Sequence, residues 1–504
     1  MNKRMFALLL ALCMVMGIAA FGSAETDLPY VELDWYVLES PLPGNQDVFD
    51  AINADLVEKI NTKINFHFID ASEYGQKMVP ILTTGTGYDI VNVNGQLNFV
   101  EWAKKGAFAP MDELLEYAPK TTELVGDDFF AAMKVDGHIY AIPSVKDSVQ
   151  MYSARFNKTL LDEIGVEIPE QVTDYRSVVP VLEEAYEARD AVYPELKEQG
   201  VPITRCYPEI TKWVQFEQLN SLIGVNVAGV PGMSEYAEDG SEVFSIYQTE
   251  EYRDMCLTIG RLRTAGVYYN QGDVWYFDPD RVFTPYYCLF DIGSGWVECA
   301  QYADDPLQKR FESVMVPYDF NVATTNYLHQ AANAINAKSE NKERAMMALE
   351  LINTDEFVAT AIRFGVEGTH WTLNEDGTIS TEGTINQNND NHFYWYGAQF
   401  GALIYSKVPA SKGSPEFMTK LQAANEKGMP GNMGFIFDPT PVQNEIAACS
   451  AVIDEYNVNL RFGKLDEADI EGELEAFSAK LDAAGIAVVV EEAQRQLDAF
   501  RAGK

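Results

Sequence analysis

The stretch 82–115 does most to limit the folds open to this chain. Its sequence is LTTGTGYDIVNVNGQLNFVEWAKKGAFAPMDELL, which predicts a helix end, a glycine turn, a short buried strand at 89–93, a polar loop and two helices. Strands that alternate with helices favour an α/β fold. The polar loop, Asn94-Gly95-Gln96, leaves the carboxyl end of the strand, where open α/β sheets bind ligands. An ordinary surface turn explains the same residues equally well.

The preceding segments repeat this alternation. Residues 30–37 alternate apolar and acidic side chains, which predicts a strand with one buried face. A helix follows from Asn45 or Asp47, and Phe66 and Phe68 mark the next strand. Ser72 is expected to cap the helix that leads into 82–115. Further along, Asn157 and Thr249 are predicted helix caps, and Asp136-Gly137 and Asp376-Gly377 are predicted hairpin turns.

Length and charge bound the class of protein. A chain of 504 residues is too long for one ordinary domain, and 47% hydrophobic residues suffice for two large cores. The formal net charge of -39 makes nucleic acid and anionic membranes unfavourable partners. It also disfavours anionic ligands unless local cations offset the field.

The first 24 residues have the parts of a secretion signal. Lys3 and Arg4 precede an apolar run at 5–20, and Gly22-Ser23-Ala24 supplies small residues for cleavage before Glu25. The apolar run is short for a membrane span. Without its two cations the mature chain would carry a charge of -41.

The cysteines indicate neither zinc nor a disulfide framework. Five would remain after cleavage, an odd number without a C-x-x-C pair, so buried thiols are expected. Cys288 and Cys299 flank a loop and could form a bridge. The other three are Cys206, Cys256 and Cys449.

The motifs of common catalytic and metal sites are absent from the sequence. It contains no G-x-S-x-G, H-E-x-x-H or phosphate-loop pattern. The five histidines are scattered, and structural roles explain them better than catalytic ones. Two oxygen-rich runs, 278–280 and 388–390, do not match a calcium loop. We therefore predict no catalytic residue, metal or cofactor.

Aromatic residues give the strongest indication of a ligand. Sugar rings offer C–H faces to aromatic platforms and hydroxyls to polar side chains, so a saccharide site needs both. Core packing is the alternative for each ring. Several of them stand beside glycine or amide residues rather than in apolar helices: Trp213, Trp275, Tyr276, Trp296, Trp371 and Tyr394-Trp395-Tyr396.

The order of these segments resembles a known family. The runs that carry the likeness are TGTGYDIV, GAFAPMDELLEYAP, GHIYAIPSVKDSVQMYSARFNKTLL, FDIGSGWVE, INAKSENKERAMMALELINTDEF and RFGVEGTHW. They are similar to the extracellular solute-binding proteins of ABC importers, in the family 1 group of sugar and oligosaccharide receptors. The part from FIFDPTPVQNEIAA onward looks like the tail of its longer, lipoprotein-type members. The family's lipoprotein cysteine has no counterpart, since Phe21 follows Ala19-Ala20 and Cys13 lies inside the apolar run.

The resemblance implies an α/β fold of the two-lobed periplasmic-binding-protein type II, with a multi-strand hinge and a helical C-terminal extension. Lobe 1 would comprise 25–145 and about 322–370. Lobe 2 would comprise 146–321 and about 371–504, including the C-terminal helices.

The resemblance also implies a function without catalysis. The protein would be an extracellular or cell-envelope monomer that binds a solute, most plausibly an oligosaccharide, and delivers it to ABC permease subunits. The implied ligand-binding residues follow strand ends or lie at the crossings between lobes: Glu39, Asn94, Gln96, Asp147, Gln150, Tyr152, Ser294, Trp296, Glu367, Trp371 and Trp395.

Three other functions stay open on the sequence. A peptide-binding receptor would need strand edges and partners for terminal charges. A secreted carbohydrate-cleaving enzyme would need two carboxylates about 5–9.5 Å apart. A surface-layer or adhesion module would not become more compact on binding a ligand.

Overall fold

The computed structural model describes residues 28–41, 44–145, 148–173, 175–204, 233–235, 242–268, 284–294, 312–323, 325–385, 399–402, 404–410, 416–427, 432–461 and 464–503. The strands are β1 (Val31–Leu38), β2 (Thr62–Ile69), β3 (Ile90–Val93), β4 (Lys134–Val135), β5 (His138–Ile139), β6 (Ile142–Pro143), β7 (Val149–Asn157), β8 (Met233–Glu235), β9 (Val243–Ser245), β10 (Leu289–Ser294), β11 (Ser313–Ala323), β12 (Ala332–Ile335), β13 (Thr372–Leu373) and β14 (Ile379–Ser380).

The α-helices alternate with these strands and then close the chain. They are α1 (Asn45–Ile60), α2 (Tyr74–Thr84), α3 (Phe99–Lys104), α4 (Pro119–Ala132), α5 (Lys158–Ile164), α6 (Tyr175–Val192), α7 (Pro194–Glu198), α8 (Glu250–Thr264), α9 (Thr325–Leu328), α10 (Lys342–Thr354), α11 (Glu356–Phe364), α12 (Phe417–Lys427), α13 (Gln443–Arg461), α14 (Glu467–Ala484) and α15 (Ile486–Ala502).

A five-stranded sheet with the order β2-β1-β3-β12-β6 contains the predicted βαβ units. Strand β1 pairs in parallel with β2 and β3, whereas β12 is antiparallel to β3 and β6. The carboxyl ends of β1, β2, β3 and β6 therefore meet the amino end of β12 at one edge. We call this edge the rim; its residues are 39–41, 70–73, 94–98, 144–145 and 329–331.

Local side-chain chemistry explains most helix starts. The Asn157 carboxamide accepts a hydrogen bond from Leu160 N at the start of α5, and the Thr249 hydroxyl accepts one from Tyr252 N at the start of α8, as predicted. The expected cap Ser72 is wrong. Its N–H and hydroxyl donate to the Asp70 carboxylate, and α2 begins without a side-chain cap. The helix begins at Tyr74, so Glu73 and not Ser72 occupies the cap position.

Aromatic rings fill the first hydrophobic core, which lies against the five-stranded sheet. The Trp35 ring packs against Phe66 and Phe400, with ring centroids 5.6 Å apart in both pairs. Phe49 from α1 lies 4.4 Å from Phe66 and 5.9 Å from Phe400. Phe400 thus lies in the centre of this core, although it is more than 300 residues from Trp35 in the sequence.

A second core forms around a three-stranded antiparallel sheet, β10-β7-β11. Helices α8, α13, α14 and α15 contribute to it. The Tyr456 ring of α13 stacks on Phe477 of α14 at 5.3 Å, and Tyr247 meets Phe477 edge-on at the same distance. The C-terminal helices are therefore part of the second core rather than an appended tail.

Among the described residues, three passages of the chain connect the two cores. Val145 lies in the first core and Ala154 in the second, and the chain returns between Val316 and Leu328. The third passage separates Met433, in the first core, from Phe435, in the second.

The sequence analysis assigned residues up to about 370 to lobe 1 and residues from about 371 onward to lobe 2. Phe400, Ala402 and Met433 nevertheless belong to the first core. The two-lobe division stays a prediction, and we propose its last boundary between Met433 and Phe435. Nothing in the helical or strand periodicity of 371–433 indicates which core it joins, because the contact with Trp35 is long-range.

Cysteines 256, 288 and 449 are buried thiols. Burial raises the pKa of the Cys288 thiol to about 12, so it stays protonated and unreactive. Cys206 and Cys299 lie outside the described residues, as does the expected secretion signal.

Within the part of the chain that the structure describes, no helix is long and apolar enough to cross a membrane.

Gly260 tests how tightly the C-terminal helices pack. A Cβ at this position of α8 would lie 2.0 Å from Ile470 Cδ1 and 3.3 Å from Ile470 Cγ1. We expect Gly260→Ala to lower the free energy of unfolding by about 1–2 kcal/mol, since overpacking outweighs the gain in helix propensity. Urea unfolding followed by circular dichroism measures this change.

Gly472 in α14 is the matched control, because a Cβ there meets nothing within 4 Å. Gly472→Ala should raise the free energy of unfolding by up to about 1 kcal/mol. Equal effects of the two substitutions would contradict the packing of α8 on α14.

Candidate ligand site

Asp70 joins the first two loops of the rim. Its carboxylate accepts hydrogen bonds from Ser40 Oγ at 2.5 Å, Ser72 Oγ at 2.7 Å and Ser72 N at 2.9 Å. These donors lower the pKa of Asp70 to about 2, so the carboxylate is ionised at any physiological pH. The loops after β1 and β2 are therefore held together beside Glu39, the first predicted site residue.

Gln96 extends this connection to the loop after β3. Its Oε1 accepts from Gly75 N at 3.0 Å, and its Nε2 donates to Ala71 O at 2.7 Å. Both ends of the carboxamide are thus used within the protein. In the structure, Gln96 positions the loop after β3. Its contact with a ligand stays a prediction.

Asn94 has a spare donor at the same place. Its Oδ1 accepts from Gln96 N at 2.8 Å, which shapes the loop, and the residue is only 4% exposed. Its Nδ2 has no hydrogen-bond partner within the described structure. A buried amide donor without a partner costs free energy, so a nearby hydroxyl or carbonyl acceptor would be favourable there.

The last two parts of the rim close the row of loops. The Gln330 carboxamide lies close over Gly95, where a Cβ would be 2.2 Å from Gln330 Oε1, so the loop after β3 meets the chain before β12 here. Ser144 N, just after β6, donates to Ala331 O at 2.9 Å. The five loops thus form a continuous polar rim along this edge of the sheet.

A set of amides behind the rim was not foreseen from the sequence. Asn92 in β3 and Asn333 in β12 each donate to Gln399 O at 3.0 Å. Ala402 N donates to Asn353 Oδ1 at 2.8 Å, and Arg363 donates to Gly401 O. Residues 399–402 are therefore fixed across the sheet. The only signal in the sequence is one asparagine inside each of the apolar strands IVNV and ANAI.

Three predicted residues lie on the second sheet. Tyr152 in β7 is the antiparallel partner of Ser294 at the end of β10, and Gln150 pairs with Val322 of β11. The fold thus brings Tyr152 and Ser294 together although 141 positions separate them in the sequence.

Two other predicted residues follow α11. Glu367 is exposed and forms an isolated bridge with Trp371. The Trp371 ring is only 6% exposed, and its Nε1 donates to Gly365 O at 2.9 Å. This contact stabilises the turn, so a ligand platform at Trp371 stays a prediction. Asp147, Trp296 and Trp395 lie outside the described residues.

A cavity of about 280 Å³ opens at the opposite edge of the first sheet. Trp102, Lys105, Asn336 and Lys338 contribute to its walls. It lies beyond the carboxyl end of β12, so none of the predicted site residues borders it. The polar rim therefore remains the better candidate for the ligand site.

The described residues contain no group of three or more His, Cys, Asp or Glu placed to hold a metal ion. Histidines 67 and 138 each contact one aspartate, Asp34 and Asp112, at 2.7 and 3.1 Å. No serine or cysteine hydrogen bond completes either pair among the described contacts. These pairs have the form of surface contacts between strands and turns.

His329 is a rim residue directly after the second passage between the cores, beside Gln330. Its Nε2 lies 2.7 Å from Ala132 O, to which it can donate, and its ring lies 4.8 Å from Phe99. Burial lowers the pKa of this imidazole to about 4. The ring is therefore neutral at physiological pH and attaches the passage to the end of α4.

Comparison with known proteins gives matches over the whole chain. A family model described as bacterial extracellular solute-binding protein matches residues 44–239, and a domain of unknown function, DUF3502, matches residues 432–502. A carbohydrate ABC transporter substrate-binding protein of Streptococcus pneumoniae is 24% identical over 518 residues, which cover 100% of this chain and 99% of that protein.

Solved structures agree with the fold. The N-glycan transport solute binding protein NgtS of Streptococcus pneumoniae aligns with a TM-score of 0.71 and 20% identity, over 94% of this chain and 99% of that one. NgtS in complex with Man5GlcNAc aligns with a TM-score of 0.59 and 21% identity, over the same shares.

These matches confirm the class expected from the sequence, an extracellular solute-binding protein with the α/β type II fold. The similarity to the bacterial extracellular solute-binding protein family covers residues 44–239.

His329 predicts a dependence of stability on pH. Its pKa is lower in the folded state than the ordinary 6.5, so the unfolded chain binds the proton first as the pH falls. Stability should be complete above pH 6.5 and decrease between pH 6.5 and 4. A unit of pKa difference is worth about 1.4 kcal/mol, and because the ring is only partly buried we expect a loss of about 1–2 kcal/mol.

His329→Gln is the control, since a glutamine amide can donate to Ala132 O and does not titrate. Urea unfolding at pH 7 and pH 4.5 should show a smaller decrease for this variant than for the wild type. An identical decrease in both proteins would refute the role of His329.

Proposed function

We propose that this protein is the extracellular receptor of an ABC importer, which captures an oligosaccharide between two lobes and delivers it to the permease. The observation that carries the proposal is the continuous polar rim beside the passages between two separate cores. Ligands bind at the carboxyl ends of strands in such sheets, and closure of one body on another would enclose them. Differential affinity for the closed form would supply the signal to the permease.

The chemistry of the rim supports a hydroxyl-rich ligand. Its described side chains are carboxylates, amides and hydroxyls from Glu39, Ser40, Asp70, Asn94 and Ser144, which both accept and donate hydrogen bonds. Such groups suit sugar hydroxyls. They offer no cation for a ligand's carboxylate within the described part of the rim.

The relatives support the same ligand class. The pneumococcal relative is described as a carbohydrate ABC transporter substrate-binding protein, and the structure of NgtS was solved in complex with Man5GlcNAc. Both are binding proteins, which supports a receptor that catalyses no reaction. From the same similarity we propose that the chain is exported, that it partners with permease subunits and that it acts as a monomer.

Asn94 provides the test of the site. We expect Asn94→Ala to weaken binding of a high-mannose or milk-type oligosaccharide by about tenfold, because an amide donor and the loop shape are lost together. Isothermal titration measures the affinity, after a thermal-shift screen of glycans and peptides identifies a ligand that stabilises the wild type.

Asn65→Ala is the matched control, since Asn65 is in the edge strand β2 and contacts Glu32, away from the rim. It should bind like the wild type. Stabilisation by peptides alone would favour a peptide receptor, and release of reducing sugar over many turnovers would favour an enzyme. Either result would contradict the proposed function.

A further inference from the structure

The C-terminal segment 432–502 matches a domain without an assigned function, and the fold shows what this segment contacts. It begins at the third passage between the cores. Met433 is 4% exposed in the first core, and Phe435 is 2% exposed in the second, so one residue, Gly434, separates the two.

Both the backbone angle and the surrounding space at position 434 favour glycine. Its φ is 91°, in the left-handed region, and a Cβ there would lie 2.7 Å from Ala131 O at the end of α4. Its N–H donates to Thr325 Oγ1 at 2.9 Å. Because Thr325 begins the return from β11 to the first core, the third passage is bonded directly to the second.

The last helix, α15, holds the chain on both sides of Gly434. Before the glycine, Arg501 Nη1 donates to Asn432 Oδ1 at 3.3 Å. After it, the Gln496 carboxamide accepts from Asp438 N at 2.8 Å and donates to Asp438 O at 2.9 Å. The Phe500 ring packs against Phe435 at 5.5 Å. These contacts span the whole segment 432–438.

We infer that the C-terminal domain is a hinge brace: α15 holds the third passage and so sets the equilibrium between open and closed forms. Hinges are a few residues that absorb the change of backbone angles. With Met433 inserted in the first core and 435–438 bonded to α15, rotation must be taken up around Gly434. The inference rests on the proposed function only in that the two bodies move about these passages.

The test compares two arginines. Arg501→Ala removes the bond from α15 to Asn432, whereas Arg261→Ala removes an exposed pair between Arg261 of α8 and Glu183 of α6, neither of which contacts the passage in the described bonds. Fluorophores are attached through a keto amino acid at exposed positions 58 in α1 and 475 in α14. Single-molecule energy transfer is then measured without any ligand.

We expect Arg501→Ala to change the ratio of compact to extended molecules about fivefold, as the loss of a charged hydrogen bond allows. Arg261→Ala should keep the wild-type ratio, and both variants should keep the wild-type circular dichroism spectrum. If Arg501→Ala folds and keeps the wild-type ratio, the inference that α15 sets this equilibrium is wrong.

Gly434→Ala gives an independent measurement, because it acts on the passage and not on α15. If it folds, its ratio should also differ from that of the wild type; an unchanged ratio overturns the inference. If it does not fold, Arg501→Ala decides alone. No ligand is present in these measurements, so a failure of oligosaccharides to compact the wild type would count only against the proposed function.

Discussion

Three passages of the chain between two hydrophobic cores form the constraint on which the rest of the structure depends. The first two passages run largely within β7 and β11, which pair with each other in the second sheet. Beside them Ser144 N donates to Ala331 O, and the third passage is bonded to the second because Gly434 N donates to Thr325 Oγ1. A cluster of short polar contacts thus connects two bodies that are each stabilised mainly by aromatic and aliphatic packing.

The polar rim follows from the same arrangement. Parallel strands must end together at one edge, so their polar loops meet there whatever their spacing in the sequence. Side chains of Asp70 and Gln96 then join loop to loop, and buried amides behind them fix residues 399–402. A rim whose loops are already ordered loses little conformational entropy when a ligand binds, which favours affinity.

Local signals predicted much of this fold. The strands around 82–115 and the caps Asn157 and Thr249 follow from side chains close in sequence. Ser72 shows the limit of that reasoning, because its hydroxyl bonds Asp70 in the rim and the helix begins only at Tyr74. The candidate site was predicted by position, at Glu39, Asn94 and Gln96, but the structural use of Gln96 was not.

The sequence by itself determined the class of the protein, because alternating periodicity and the order of its motifs depend on neighbouring residues and need no distant contact. The tertiary structure decided which core each later segment joins. Phe400 packs on Trp35, and Met433 and Phe435 lie in different cores although only one residue separates them. Such choices depend on shape and burial between residues hundreds of positions apart, which no local pattern records.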